Sequence, residues 1–442
     1  MRLDIVQRIL RDYFKVNLVT AMNVTNIDDK IIKRSKEMDK DWHVIAEEYE
    51  NEFWEDLRNL NVKLPDIRVR VTDRMDEIIK FITDIESKGL AYAAIDGSVY
   101  FKTECYKNYG KLQNIVLDSG DHNVKSSIAD FALWKAAKAD EPSWDTKWGK
   151  GRPGWHIECS TIASLIFGPH LDFHAGGIDL KFPHHENEEA QSCVFHGVED
   201  WVENWIHTGH LHLKGQSEKM SKSLKNTVSI RELLAAHSAD QFRVACLLSH
   251  YRSSIEFGPE LLTAAEAVLK KFNSFVNDCN AFISGLKQNV VIDEEVVIEK
   301  FKSCKLEVKE SLQDDFNTTR AIGSMIDLIS AVSKMLNNTQ GSPMGFQTGS
   351  DKALVQGVVN YVQDMLKTFG VGGSDQPDPT EDTNYENLVN SVINMRNELR
   401  LQARDTKNKD LFKVCDNIRN SMKQNQIEIK DHGNLSSWNK IK

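Results

Sequence analysis

The sequence contains no apolar run approaching the roughly 20 residues that a membrane-spanning helix needs, no low-complexity tract and no internal repeat. Those absences exclude a helical membrane span, a disordered chain and a repeat solenoid. Its seven cysteines (Cys105, Cys159, Cys193, Cys246, Cys279, Cys304 and Cys415) are odd in number and scattered, with no Cys-x-x-Cys pair. This argues against a disulfide framework and for a reducing compartment. The first ten residues have an amphipathic helical pattern and no signal-peptide features, so the chain is expected to begin inside a folded element. What is there is 442 residues, 40% apolar and 27% charged, a globular composition long enough for two or three cores. A net charge of -10 speaks against a general nucleic-acid coat. From 391 to 442, however, eleven basic residues face six acidic ones, leaving +5 there and -15 on the rest. Such asymmetry fits either a local phosphate-binding face or a solvated helical surface.

The opening alternates a helical pattern (Asp4 to Phe14), a strand-like run (17 to 26) and a helix from about Asp28. From 64 to 147 the order changes to a helix over 73 to 88, short strands around 91 to 102 and a polar loop at 117 to 127, as an inserted segment would. The alternation resumes with a helix after Pro153, a strand at 171 to 175, a helix after Pro183 and a strand-like stretch over 205 to 213. Strands separated by helices predict a doubly wound parallel sheet. Beyond about 235 the pattern turns helical, at 258 to 285, 295 to 312, 315 to 336, 351 to 369 and 384 to 403. Loop-like breaks fall at 340 to 350 and 372 to 383. The fold class expected is therefore an α/β, Rossmann-like domain with an inserted α+β segment, followed by an all-α bundle.

Three groups of residues carry chemistry. Lys219-Met220-Ser221-Lys222-Ser223 lies in a small polar loop that also holds Gly215, between a predicted strand and a helix. Two lysines three apart there can neutralise a triphosphate as pyrophosphate departs, or merely solvate the loop. Gly176-Gly177-Ile178-Asp179 follows the strand LDFHA, at the carboxyl end where parallel sheets bind ligands. Glycines admit a nucleotide close to the backbone, and Asp179 can accept from a ribose hydroxyl or an amino group. An ordinary tight turn has the same look. Cys159 and the PHHENE run at 183 to 188 supply a thiol, an imidazole and a carboxylate, with His184 and Glu188 on one helical face. These are zinc ligand types, and three of them leave a coordination position open. A packed cysteine and hydrogen-bonded histidines are the alternative.

Taken together, MNVTNIDDKIIKRS (22 to 35), DFALWKAAK (130 to 138), GRPGWHIECS (151 to 160), GGIDLKFPHHENEEAQS (176 to 192) and EKMSKSLKN (218 to 226) resemble the signatures of the cysteinyl-tRNA synthetases, class I enzymes acting through an adenylate. FALWKAAK, HTGHLHLKG and KMSKSLKN look closer to the mitochondrial branch of animals than to bacterial or cytosolic members, a resemblance that implies the mitochondrial matrix, with the cytoplasm as the alternative. The resemblance implies zinc held by Cys159, His184 and Glu188 and bonded to the substrate thiolate. It puts Trp155 in the cysteine pocket, Thr25 and Asp179 at the amino and carboxyl groups, and the Gly176-Gly177 backbone at the adenosine. Lys219 and Lys222 then act on the pyrophosphate, with ATP and Mg2+ as co-substrate and counter-ion. tRNA(Cys) is the implied partner, and the chain is expected to be a monomer with no membrane association. The helical region, including Asp315-Phe316-Asn317-Thr318 and the basic tail, resembles the anticodon-side domain.

The resemblance also implies domain bounds. These are a first catalytic half at 1–63 lacking its initial strand, a connective insertion at 64–147 and a second catalytic half at 148–235. A stem-contact-like region at 236–290 and an anticodon-side bundle at 291–442 follow. Family members begin with a strand, a Cys-x-Pro turn giving a fourth zinc ligand, and the HIGH sequence, upstream of the helix matching Asp4 to Phe14. None of these strings occurs in this sequence. The expectation is a chain short of its first segment, with one of two phosphate clamps missing and adenylation weakened. A noncatalytic product that binds tRNA or a partner, and a cysteine ligase acting on an amino-sugar, are the competing readings.

Overall fold

The computed structural model describes residues 1–113, 125–213, 227–287, 290–338, 349–372, 379–432 and 435–440. It divides into two compact units, Met1–Gly372 and Gly373–Lys442. In the first, the opening helix Arg2–Arg8 runs on through a π-helical turn, Ile9–Tyr13. Strand Ala21–Val24 then pairs in parallel with Ile67–Arg70. Helices Asp29–Met38 and Trp42–Asn59 connect them. Asp28 starts the first of these helices by accepting from the amide of Ile31 at 2.7 Å, the N-cap use of a short carboxylate.

A second parallel pair joins Leu171–Gly177 to Val202–Thr208 across the helix Glu186–His196. A third joins Leu211–Leu213 to Ile255–Phe257. Among the described residues the parallel strands thus pair in twos. The alternation read from the sequence gives parallel neighbours because each connection is a helical crossover.

Between the first two pairs, helix Met75–Ser87 packs on a five-stranded antiparallel sheet. Its order is Ala91–Ala93, Val99–Phe101, Phe131–Ala136, Gly149–Pro153, Trp144–Thr146. The core here is Ile78, Phe81, Ile82, Ile85, Phe101, Leu133 and Trp134, all 2% exposed or less. The strand Gly149–Pro153 runs straight into helix Trp155–Phe167, so the inserted sheet sets where Cys159 is presented.

The helices Ala239–Leu247, Pro259–Ile283, Glu294–Gln313, Thr318–Leu336 and Gly349–Thr368 share one apolar core, and Ile5 of the opening helix and Ile9 of its π-helical turn belong to it. Their apolar residues recur every three to four positions, the spacing that buries one face of a helix. At the joint, Arg243 (0% exposed) donates to Asp4 at 2.5 Å and to the carbonyls of Leu60, Asn61 and Phe369, while Arg8 donates to Asp4 at 2.9 Å. No helix among the described residues is long and apolar enough to cross a membrane.

The second unit is not helical throughout. Helices Pro379–Asp405 and Lys409–Gln424 pack with an antiparallel hairpin, Ile427–His432 against Leu435–Lys440. Val389, Ile393, Ile427 and Ile429 form its core. The expectation of helix alone to residue 442 is corrected here. The alternation of Ile427 and Ile429 is a strand signal only two apolar residues long, set in a basic stretch. Part of that positive charge is also turned inward. Arg396 (1% exposed) and Arg419 both pair with Asp431, and Arg400 lies 3.2 Å from it.

Candidate functional site

The site is built at the carboxyl ends of the parallel strands, where Ala21–Val24 and Leu171–Gly177 give way to loops and the helices Trp155–Phe167 and Glu186–His196 begin. Helix Glu186–His196 is unusual in being buried on its polar residues, with Glu186, Asn187, Glu188, Glu189 and Gln191 all 2% exposed or less. Buried carboxylates need donors. Glu186 accepts from the amides of Gly110, Lys111 and Leu112 at 2.7, 3.1 and 2.7 Å. Glu189 accepts from the amides of Trp201 and Val202 and pairs with Lys111. Glu188, between them and 0% exposed, has no donor aligned on either oxygen. His184 Nε2 is 2.8 Å from one oxygen and His174 Nε2 3.3 Å from the other, close but out of line.

Cys159 comes to the same point from the other helix. A ligand atom from each of Cys159, His184 and Glu188 lies within 4.8 Å of the others, and His174, His185 and Glu188 form a second such group sharing the same carboxylate. A sulfur, a nitrogen and an oxygen at this spacing, around a buried carboxylate that protein hydrogen bonds leave unsatisfied, fit a zinc ion. Burial, then the carboxylates of Glu188 and Glu158, push the Cys159 thiol well above its ordinary pKa, with a 3.3 Å hydrogen bond from Asn23 opposing them. A metal would reverse that by stabilising the thiolate. Burial also works against the charged form of Glu188, but His174 and His184 outweigh it and hold its carboxyl below the ordinary range.

Around this cluster stand imidazoles that the sequence motifs contained without marking. His156 Nδ1 is 2.8 Å from His184 Nδ1, and His185 Nδ1 is 2.8 Å from His207 Nε2. Burial lowers the pKa of His156 and His185 to about 3 and of His207 to about 4, so all three are neutral near pH 7 and each contact pairs a donor with an acceptor. Trp205 packs on His174 and His185 at centroid distances of 4.9 Å. The signal was the repetition of histidine in HTGH and PHHENE, which only the pairing of the strands turns into one cluster.

The other residues singled out from the sequence fall around the same centre. Trp155 is 48% exposed, its ring 4.2 Å from that of His184, forming an open aromatic wall. Thr25 donates to Glu158 at 3.1 Å, and burial keeps that carboxyl's pKa well above the ordinary value. Asp179 lies 3.3 Å from His210 Nε2. At Gly176 a Cβ would sit 2.8 Å from His185 Cε1, so the close approach there admits glycine alone. Gly177 is hemmed by the Asp179 carboxylate, 2.5 Å from its own Cβ position. Lys219 and Lys222 lie outside the described residues.

Comparison with known proteins shows the family and the fold. The family model for the tRNA synthetases class I (C) catalytic domain matches residues 1–267, and the DALR domain matches 307–371. A Xenopus tropicalis protein named probable cysteine–tRNA ligase, mitochondrial, is 38% identical over 99% of this chain and 82% of its own length. The chain belongs to the cysteine–tRNA ligase family. Cysteine–tRNA ligases of Staphylothermus marinus and Methanococcus maripaludis are each 37% identical over 97% of this chain, covering 87% and 88% of their own lengths. The fold is that of the class I synthetases. Mycobacterium tuberculosis methionyl-tRNA synthetase in complex with methionyl-adenylate superposes with a TM-score of 0.60 at 13% identity, over 83% of this chain and 85% of that one. A putative arginyl-tRNA synthetase of Campylobacter jejuni gives 0.53 at 12%, over 84% and 86%. This family membership makes the chain a ligase of the aminoacyl-tRNA-forming class.

Proposed function

We propose that this chain activates cysteine with ATP and passes the cysteinyl group to tRNA(Cys), with zinc held by Cys159, His184 and Glu188. The observation that carries the reading is Glu188, a fully buried carboxylate without an aligned donor, facing a thiol and an imidazole. When bound, the zinc supplies a soft contact that takes a thiolate in preference to a hydroxyl. Trp155 then walls the side-chain pocket, while Asp179 and Thr25 face the amino and carboxyl groups. The carboxylate of cysteine attacks the α-phosphate of ATP; the new P–O bond forms as the bond to the β-phosphate breaks and pyrophosphate leaves. Lys219 and Lys222, with a magnesium counter-ion, offset the charge on the leaving group. The terminal ribose hydroxyl of the tRNA next attacks the acyl carbon and AMP departs. The neutral His185–His207 pair, backed by Trp205, keeps the floor of the site rigid and uncharged.

The helical region matched over 307–371 favours tRNA as the acceptor, because an amino-sugar ligase does not need it. The likeness to the Xenopus tropicalis protein favours a mitochondrial location. The test is cysteine-dependent exchange of pyrophosphate into ATP by the purified protein. Cysteine supports exchange and serine does not, and Lys222→Ala lowers the rate by about 10² to 10³. Absence of exchange in protein loaded with zinc, or an equal rate in Lys222→Ala and wild type, contradicts the reading.

A further inference from the structure

Asp315-Phe316-Asn317 lies between two long helices, and its backbone is costly. Asp315 and Phe316 are consecutive non-glycine residues at φ 52° and 54°, the left-handed region that side chains disfavour. Such a turn persists only where its surroundings hold it. Asp315 accepts from the Tyr251 hydroxyl at 2.6 Å and from Arg252 Nε and Nη2 at 2.5 and 3.0 Å, with His250 Nε2 at 3.6 Å. Thr318 donates to the carbonyl of Leu247 at 2.9 Å. Asp315 and Thr318 thus hold one turn, 247–253.

That turn grips the site in its own right. The amide of Gly209 donates to the Tyr251 carbonyl at 2.9 Å, and the amide of Ile255 to the His210 carbonyl at 2.8 Å. Arg2 bridges the two segments, donating to the carbonyls of Gly209, Tyr251 and Ser253. The approach is so close that a Cβ on Gly209 would lie 2.3 Å from the Ser253 carbonyl oxygen. On the two sides of Gly209 stand His207, against His185, and His210, 3.3 Å from Asp179.

We propose that Asp315 is a positioning residue for the site, setting Gly209 through Tyr251 and Arg252 and thereby the placement of His210 opposite Asp179. The proposal rests on the ligase reading above for its kinetic consequence and on geometry alone for the clamp. It also gives the strained turn a use that helix capping does not explain, since Asn317 alone caps the following helix by accepting from the Arg320 amide at 3.1 Å.

The experiment has a structural arm and a kinetic arm, both on the whole chain. In Asp315→Ala, amide hydrogen exchange across 205–213 rises, with the Gly209 amide losing its protection. The kcat of cysteine-dependent pyrophosphate exchange falls by about 10²-fold, the scale of a small misplacement transmitted from a distance. Zinc content stays as in wild type. The charge exchange Asp315→Arg with Arg252→Asp recovers part of both losses. Unchanged protection at 205–213 overturns the proposal, as does a loss of kcat accompanied by loss of zinc, which marks general unfolding. If the wild-type protein exchanges no pyrophosphate, the ligase reading fails, and protection at Gly209 still decides whether Asp315 holds the clamp.

Discussion

Replacing Glu188 by alanine is expected to strip the chain of zinc and, with it, of the preference for cysteine over serine. The side chain is 0% exposed and is the one carboxylate of its helix without aligned donors, whereas Glu186 and Glu189 are each saturated by backbone amides. Removing a partner that merely orients a ligand costs about 10- to 100-fold in metal affinity, so loss of one of three ligands costs more. Shape alone separates cysteine from serine poorly, because fit differences of this size yield only about 10 to 200-fold, whereas a site built to bond a particular group rejects an analogue lacking it by about 10⁴ or more. The expected outcome for Glu188→Ala is zinc below detection by elemental analysis and a cysteine-to-serine ratio in pyrophosphate exchange reduced at least about 10²-fold. Glu186→Ala, which unbinds three amides at the end of the inserted segment, should instead lower stability and leave the ratio intact.

Asp4→Ala should lower the melting temperature by about 6–10 °C. Arg243 is 0% exposed and Arg8 8%, and Asp4 is the carboxylate that both contact. Taking one member out of a buried ion cluster strands the others without compensation, at a cost of about 3–5 kcal/mol, and in a large domain each kcal/mol moves the midpoint by about 2 °C. Burial alone would raise the pKa of Asp4; Arg243, Arg8 and the Lys63 amide more than offset it, so the folded pKa is depressed. A depressed carboxylate contributes stability that is present above the ordinary aspartate value of about 3.9 and is lost as pH falls through the folded pKa. Acid should therefore narrow the gap between Asp4→Ala and wild type. Asp66→Ala, which removes an exposed partner of Arg11, serves as the control and should shift the midpoint by no more than about 2 °C.

The order of helices and strands was readable wherever apolar periodicity was strong. The helices Pro259–Ile283, Glu294–Gln313 and Thr318–Leu336 each carry a continuous apolar stripe and fall within a few residues of where the sequence placed them. Helix Trp42–Asn59 was missed because it buries little, chiefly Ile45, Ala46 and Trp54, and leaves Tyr49 and Phe53 exposed. The terminal hairpin was missed for a related reason, its strands having two buried isoleucines in a basic stretch. At the site, the grouping of Cys159, His184 and Glu188 could be stated from residue type and helical spacing, but only the fold brings Cys159 to the other two across 25 residues. His156, His174, His185 and His207 were invisible as a cluster, because adjacency across paired strands leaves no local pattern. The positive tail read as a phosphate face in part, yet Arg396, Arg400 and Arg419 converge on Asp431, which a charge count cannot reveal.

The central claim is that Cys159, His184 and Glu188 form a metal site that selects a thiol. The most direct measurement replaces zinc by cobalt(II) and follows thiolate-to-cobalt charge-transfer absorption. The account predicts a band in the wild-type protein that is absent from Cys159→Ala, grows when cysteine is added and is unmoved by serine. A band that survives Cys159→Ala, or a spectrum equally indifferent to cysteine and serine, would contradict it.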